Sequence, residues 1–366
     1  MVTVRQEYTF EIDRVEEPEW SDLLRRFADA TFYQTWGYGE IQYGSRHLTH
    51  VVVRRNDDVV AAIQGEIVRI PGLKIGIAHF PWGPMWRAHG CAETPDHLRQ
   101  ILRCLLRHYA VELGLLVRIR SYEVEDGPSR NPVFTAFEQE GFHRSDKHHY
   151  QTIRLSLVPS LAELRKNMCS RWRRHLRAAE KRDFTILQGD TPDLFAAFGD
   201  LYREMYSRKS IVGYNPDIDK YRDIQEKMPG HLKFMVLLCK YEGEAVAANV
   251  LSALGDTGMY FFGATSDRAI SENLRAAYIL HWRTIEWLKK HGFRWYDLRG
   301  YDAERYPGIS HFKAGLKGEI VRFAEFIGCR NPVSRATVTV GEGVLANLHA
   351  AKDRLERIRA HALPSR

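Results

Sequence analysis

Short apolar runs separated by turn residues recur along this chain in an order that repeats once. His50–Arg55 and Val59–Val68 are β-rich and flank Asn56, Asp57 and Asp58, which predicts a hairpin. Phe234–Lys240 and Ala245–Leu251 flank Tyr241–Glu244 and predict the same device. Each hairpin precedes another apolar strand, Ile75–Phe80 or Gly258–Gly263. An amphipathic helix follows each. His97–Leu113 carries Leu98, Ile101, Leu102, Leu105, Leu106 and Tyr109, and Asn273–His291 carries Leu274, Tyr278, Ile279, Trp282, Ile285 and Leu288. Steps of three and four residues place each set on one helical face. Gly114 and Gly292 suit a left-handed helix end, and each leads into a strand, Leu115–Arg120 or Phe293–Leu298. These glycines lie 178 positions apart (292 − 114), and Gly141 and Gly318 lie 177 apart (318 − 141). Two copies of one α/β unit account for the spacing.

Ser160–Arg182 joins the copies and reads as one helix. Its apolar stripe is Leu161, Leu164, Met168, Trp172, Leu176 and Ala179, and its basic stripe is Lys166, Arg173, Arg177 and Lys181. The basic stripe is either a solvated face or a phosphate-facing surface. Pro216 and Pro229-Gly230 bound a polar connection, helical in part. A further helix is expected over 343–359. The expected organisation is a first domain over 1–158, a second over 159–332 and a helical tail over 333–366.

With 366 residues and 44% hydrophobic content, the chain can bury two cores. The net charge of +7 favours anionic partners (phosphates, nucleotide-linked sugars, RNA or an anionic membrane surface) without choosing among them. The five cysteines form no C-x-x-C pair and the sixteen histidines no H-E-x-x-H, so no metal is expected. His148 and His149 would point to opposite faces of a strand. There is no apolar run of the ~18 residues a membrane helix needs. The N-terminus has no signal-like stretch, and the expected location is the cytoplasm.

Two segments frame the chemistry. Arg294-Trp-Tyr-Asp-Leu-Arg-Gly300 carries Tyr296 and Asp297 to a strand end, and Gly308–Gly318 contains Phe312-Lys313. Strand ends of α/β sheets expose functional side chains. A transferase that uses acyl-CoA would show a glycine-rich pyrophosphate loop before its central helix. Thr265–Ala277 and His89–Pro95 lack that spacing.

The chain resembles the FemAB family, peptidyltransferases that add amino acids from aminoacyl-tRNA to cell-wall precursors. The resemblance rests on Tyr33-Gln-Thr-Trp36 with Gly37-Tyr38, on Phe80-Pro-Trp-Gly-Pro84 and on Ser170–Lys181. It continues through Trp295–Gly300 and Phe312-Lys-Ala-Gly315. It implies an α/β (α+β) fold of two tandem GNAT-like acetyltransferase domains, with mixed β-sheets flanked by helices. The chain departs from the family at Leu298-Arg299-Gly300 and at Leu316-Lys317-Gly318, and Arg182–Leu232 has no counterpart of the coiled-coil arm seen in some members.

The resemblance implies amide formation on an amine of a cell-envelope or nucleotide-linked precursor. Aminoacyl-tRNA or acyl-CoA would be a co-substrate, with no bound cofactor. The alternative is an acyl-CoA-dependent N-acyltransferase of polysaccharide or small-metabolite biosynthesis. A third reading is an RNA- or membrane-surface-binding protein on a decayed transferase fold. Lys313 aligns with the lysine that meets the carbonyl oxygen, with Phe312 beside it. Asp297 or Tyr296 is expected to position the incoming amine or take its proton. Gln34 and Trp36 would contact the acceptor, and Arg171, Arg173 and Arg174 would grip a diphosphate. Tyr206, Arg208, Tyr301 and Tyr306 are further candidates for the pocket. Expected partners are an anionic acceptor and tRNA. A peripheral membrane contact stays open, and a monomer suffices.

Overall fold

The structure, a computed structural model, describes residues 7–69, 76–124, 131–145, 150–209 and 217–329. His148-His149, Pro216 and the helix expected within the 333–366 tail lie outside these residues.

The first half runs β1 (Tyr8–Ile12), α1 (Glu17–Leu24), α2 (Trp36–Tyr43), β2 (Leu48–Arg55), β3 (Asp58–Arg69) and β4 (Gly76–Pro81). It continues with α3 (Pro95–Leu105), β5 (Leu116–Val124), α4 (Pro132–Gln139), β6 (His143–Arg144) and β7 (Tyr150–Ser156). The second half opens with α5 (Leu161–Asn167), α6 (Ser170–Glu180), β8 (Phe184–Gly189), α7 (Pro192–Lys209) and α8 (Ile218–Lys227). Then come β9 (Met235–Tyr241), β10 (Glu244–Leu254), β11 (Thr257–Thr265), α9 (Asp267–Ser271) and α10 (Ala276–Lys290). β12 (Trp295–Asp297), α11 (Pro307–Ala314) and β13 (Glu319–Gly328) complete it.

The repeat is present as expected. β2–β3 and β9–β10 are antiparallel hairpins, and β4–β5 and β11–β12 are parallel pairs bridged by a helix. Asn56, Glu242 and Gly243 take positive φ, which tight hairpin turns require. All described strands join one sheet in the order β1-β2-β3-β4-β5-β13-β7-β12-β11-β10-β9-β8, with β6 on β13. The halves therefore interlock. β7, from the first half of the sequence, pairs with β12, while β13, the last strand of the described residues, lies between β5 and β7.

Three hydrophobic clusters cover this sheet. α3 and α4 pack on the first half, and α6 and α10 on the second. The third cluster joins α1 and α2 to α7 and α8 across the halves. Within it, Phe32 stacks on Phe234 at 4.2 Å and meets Phe261 edge-on at 4.6 Å. Such aromatic pairs add roughly 0.5–1.5 kcal/mol each beyond the area they bury.

Two expected helices differ. The apolar stripe after α3 continues through Leu106–Glu112 as a π-helical turn, within which Tyr109 is fully buried and its hydroxyl meets that of Thr49. Ser160–Arg182 is two helices, because Met168 and Cys169 are extended. There the Cys169 N–H donates to the Gly315 carbonyl at 2.9 Å, so the break docks this segment on the end of α11. No helix of the described residues is long and apolar enough to cross a membrane.

Candidate active site

β11 and β12 pair only from Thr257↔Trp295 to Met259↔Asp297. Beyond that point β11 stays with β10 as far as Thr265. The chain after Asp297 instead follows β7, with the Leu298 N–H on the Ile153 carbonyl at 2.9 Å and the Tyr301 N–H on Gln151 at 2.8 Å. The two strands part here. Arg299 and Gly300 both have positive φ at the parting, 49° and 37°. The Arg299 N–H donates to Asp297 Oδ1 at 2.7 Å, and the Gly300 N–H to the Tyr150 hydroxyl at 2.8 Å. These bonds hold a non-glycine residue in a backbone region it rarely enters.

Lys313 reaches this turn from α11 rather than from a loop. Its side chain is buried, and Nζ donates to the carbonyls of Arg299 at 2.6 Å and Gly300 at 2.9 Å. The ammonium lies 5.9 Å from the ring centroid of Tyr260. An ammonium has three N–H donors, so one is left for another acceptor. Burial, and then the charge of Arg299, lower the Lys313 pKa to about 8, while Asp297 acts in the opposite direction.

Asp297 is 1% exposed. Oδ2 accepts from the Tyr122 hydroxyl at 3.1 Å, and Oδ1 from the Thr152 hydroxyl at 2.5 Å as well as from Arg299. The carboxylate is thus enclosed and engaged by three donors. Through Tyr122 it ties the turn to β5 of the first half. Tyr296 points to the opposite face, fully buried, and its hydroxyl meets His281 Nδ1 at 2.8 Å. Burial and the Lys313 charge push the His281 pKa down to about 3, so this imidazole is neutral.

Phe312 packs on Trp172, Tyr278 and His281, and its carbonyl accepts from Trp172 Nε1 at 3.1 Å. It shapes the wall on which Lys313 sits. Tyr301 joins the same cluster, half-buried. Gln34 is fully buried, donating to the Pro81 carbonyl at 2.7 Å and accepting from the Gln64 N–H at 2.7 Å. Trp36 stacks on His50 at 4.0 Å. These contacts place both residues in the packing of the first half. Arg171 and Arg174 are exposed on α6, whereas Arg173 turns back to cap α5 through the Lys166 carbonyl at 2.6 Å and that of Met168. Arg171, Arg174 and Arg275 all lie near His175 and, after its burial, lower its pKa further. Arg275 stands at the start of α10 with φ 62°. Tyr206 packs on Tyr202, and Arg208 pairs with Asp267 and donates to the Thr265 carbonyl at 2.9 Å. Tyr306 is exposed and caps α11 with its backbone.

Sequence reasoning overlooked Arg299, Tyr122, Thr152 and Arg275 as parts of the site. Arg299 extends from the turn over Phe261 at 4.0 Å and Tyr33 at 5.7 Å, from both halves. Its sequence signal was the departure at Leu298-Arg299-Gly300. Tyr122 and Thr152 had none, because they sit on strands of the other half.

Residues 164–313 match a family model described as an acetyltransferase (GNAT) domain. No curated protein matches the chain. Among solved structures, the fold is similar to FemX, at 15% identity and a TM-score of 0.68, covering 86% of this chain and 96% of that one. A conserved protein of unknown function from Bacteroides thetaiotaomicron is similar at 11% identity and a TM-score of 0.58, covering 87% and 99%. The C-terminal domain of a putative lysylphosphatidylglycerol synthetase from Agrobacterium fabrum reaches 13% identity and a TM-score of 0.51, covering 78% and 85%. At these identities the likeness is one of fold. Residues 164–313 thus match a GNAT domain model, and the chain as a whole shares its fold with FemX.

Proposed function

We propose that this protein is an acyltransferase that forms an amide on an amine-bearing acceptor, with aminoacyl-tRNA as donor and a cell-envelope or nucleotide-linked precursor as acceptor. The observation that carries this reading is Lys313, a buried ammonium with two donors fixed on main-chain carbonyls and no acceptor for the third among the described residues. In the transfer, the amine nitrogen bonds to the carbonyl carbon and negative charge gathers on the carbonyl oxygen. A fixed N–H at that oxygen contributes a few kcal/mol, because nothing has to reorganise as the charge develops. When the tetrahedral intermediate collapses, the bond to the donor's oxygen or sulfur breaks. A lysine with a pKa near 8 is acidic enough to protonate that leaving atom, and the neutral side chain it becomes takes the proton that the attacking nitrogen sheds, which restores the ammonium. Asp297 serves by holding the Arg299-Gly300 turn, and so the two carbonyls that aim Lys313. Arg171, Arg174 and Arg275 supply positive charge for a phosphate-bearing donor.

The GNAT match favours the alternative, an N-acyltransferase that uses acyl-CoA. Against it stands the start of α10, where Asn273 and Arg275 occupy left-handed positions that a phosphate loop fills with glycine. Donor use separates the two readings. Aminoacyl-tRNA, but not acetyl-CoA, is expected to raise the melting temperature and to yield an amide product. Stabilisation and turnover with acetyl-CoA alone would select the alternative. If Lys313→Met turned over like the wild type, the role given to Lys313 would fall for either donor.

A further inference from the structure

A cleft of about 990 Å³ lies away from Lys313, at the junction of the halves. The first half contributes Trp86–Cys91, Glu93, Tyr122–Val124 and Asn131–Val133, and the second Gly255-Asp256 and His291–Trp295. Within the repeat this is a matching position. It stands at the C-terminal ends of the parallel pair β4–β5 and beside the start of α4, as Lys313 stands beyond β12 on α11. The end of a parallel pair is where open α/β sheets bind ligands.

Arg154, from β7, lines this cleft. Its guanidinium lies over Trp295 at 4.5 Å and Tyr122 at 5.5 Å. It has no hydrogen-bond or ion-pair partner among the described residues, and its Nε is buried. Arg87, half-buried in the same cleft, is engaged by Glu123 at 2.5 Å and Glu93 at 2.9 Å. A buried donor without an acceptor is costly, and arginine binds planar anions through two parallel bonds. The strand register also selects the anion. Asp297 and Glu319 are the cross-strand partners of Arg154, on the same face of the sheet, and Glu123 and Asp256 line the same cleft. The third arginine of the lining, Arg294, is exposed, and the five lining carboxylates Asp29, Glu93, Glu123, Asp256 and Glu319 outnumber the three arginines, which disfavours a phosphate dianion or a nucleic acid relative to a monoanion on Arg154.

We propose that this cleft is a second ligand site, for a small molecule whose carboxylate pairs bidentately with Arg154. The proposal does not depend on the transfer chemistry assigned to Lys313. Acetate and alanine are suitable probes, followed through the Trp295 indole N–H resonance by NMR, which Trp295→Phe assigns. Both are expected to shift the resonance saturably in the millimolar range, while alaninamide and inorganic phosphate leave it in place. Arg154→Gln should weaken the response at least tenfold, and Lys313→Met should leave it intact. Glu319→Gln keeps Arg154 and its stacking, and by removing a repulsive carboxylate it should tighten binding severalfold. The site is refuted if neither carboxylate acts, if alaninamide or phosphate acts as strongly as alanine, or if Arg154→Gln responds like the wild type. Should Arg154→Gln fail to fold, unchanged or weakened binding in Glu319→Gln refutes it equally.

Discussion

Lys313 shows what a single residue owes to its surroundings. Its place beside Phe312 was legible in the sequence, but its burial and two carbonyl acceptors were not, because the acceptors come from a turn 14 and 13 residues earlier. Replacing it with methionine should lower the turnover rate by about two to three orders of magnitude, with the circular dichroism spectrum unchanged. The ammonium is lost as pH rises through about 8, so the rate should fall above that pH. In Lys313→Arg, which stays charged, this alkaline limb should disappear from the pH–rate profile. Stability follows the opposite sign. Between about 8 and the ordinary 10.5 the unfolded chain binds the extra proton, so the Lys313 contribution to unfolding free energy rises with pH. His281, with its pKa lowered to about 3, favours the unfolded chain as pH falls below 6.5. The fold should therefore lose stability on acidification, and His281→Gln should lessen that loss in urea titrations between pH 6.5 and 4.

Elements carry the next level. The stripe that predicted Ser160–Arg182 was real, since Leu164, Met168, Trp172, Leu176 and Ala179 are all buried. Periodicity could not reveal the break between α5 and α6, because the backbone partner of Cys169 is the remote Gly315 carbonyl. The contact is tight, since a Cβ on Gly315 would meet Trp172 Cδ1 at 2.5 Å. Gly315→Ala should thus shift α11 against α6 and destabilise the protein by roughly 1–3 kcal/mol in denaturant unfolding. Because α11 carries Lys313, the same variant should also lose activity. Asp297 acts between elements, joining β12 to β5 through Tyr122 and to β7 through Thr152. Its replacement by alanine should cost roughly 2–4 kcal/mol, and by asparagine less, as urea midpoints would show.

At the scale of the molecule, the repeat read from glycine spacing is the repeat of the fold, yet the strands are shared between its copies. A fragment of residues 1–158 lacks β13, which exposes the edge of β5 and removes Phe323, Ala324 and Phe326 from the cores. Expressed alone, neither 1–158 nor 159–366 should unfold cooperatively, whereas co-expression should restore a cooperative transition, checked by thermal denaturation. Two stable, independent fragments would contradict this interlocked arrangement.

What the sequence determined by itself was local in origin. Hairpins follow from alternation around turn residues, helix faces from three- and four-residue steps, and the tandem order from the spacing of the glycines that end helices. The candidate lysine also belongs here, as part of a short motif. Tertiary structure decided which strands lie side by side, and with that which groups meet at the parting of β11 and β12. Tyr122, Thr152 and Asp297 converge from three strands distant in sequence, and Arg154 lies open to its cleft because β7 crosses into the second half. Such convergence depends on pairing across long stretches of chain. Strand pairing is set by the burial of whole faces of the sheet, and no short window of sequence contains it.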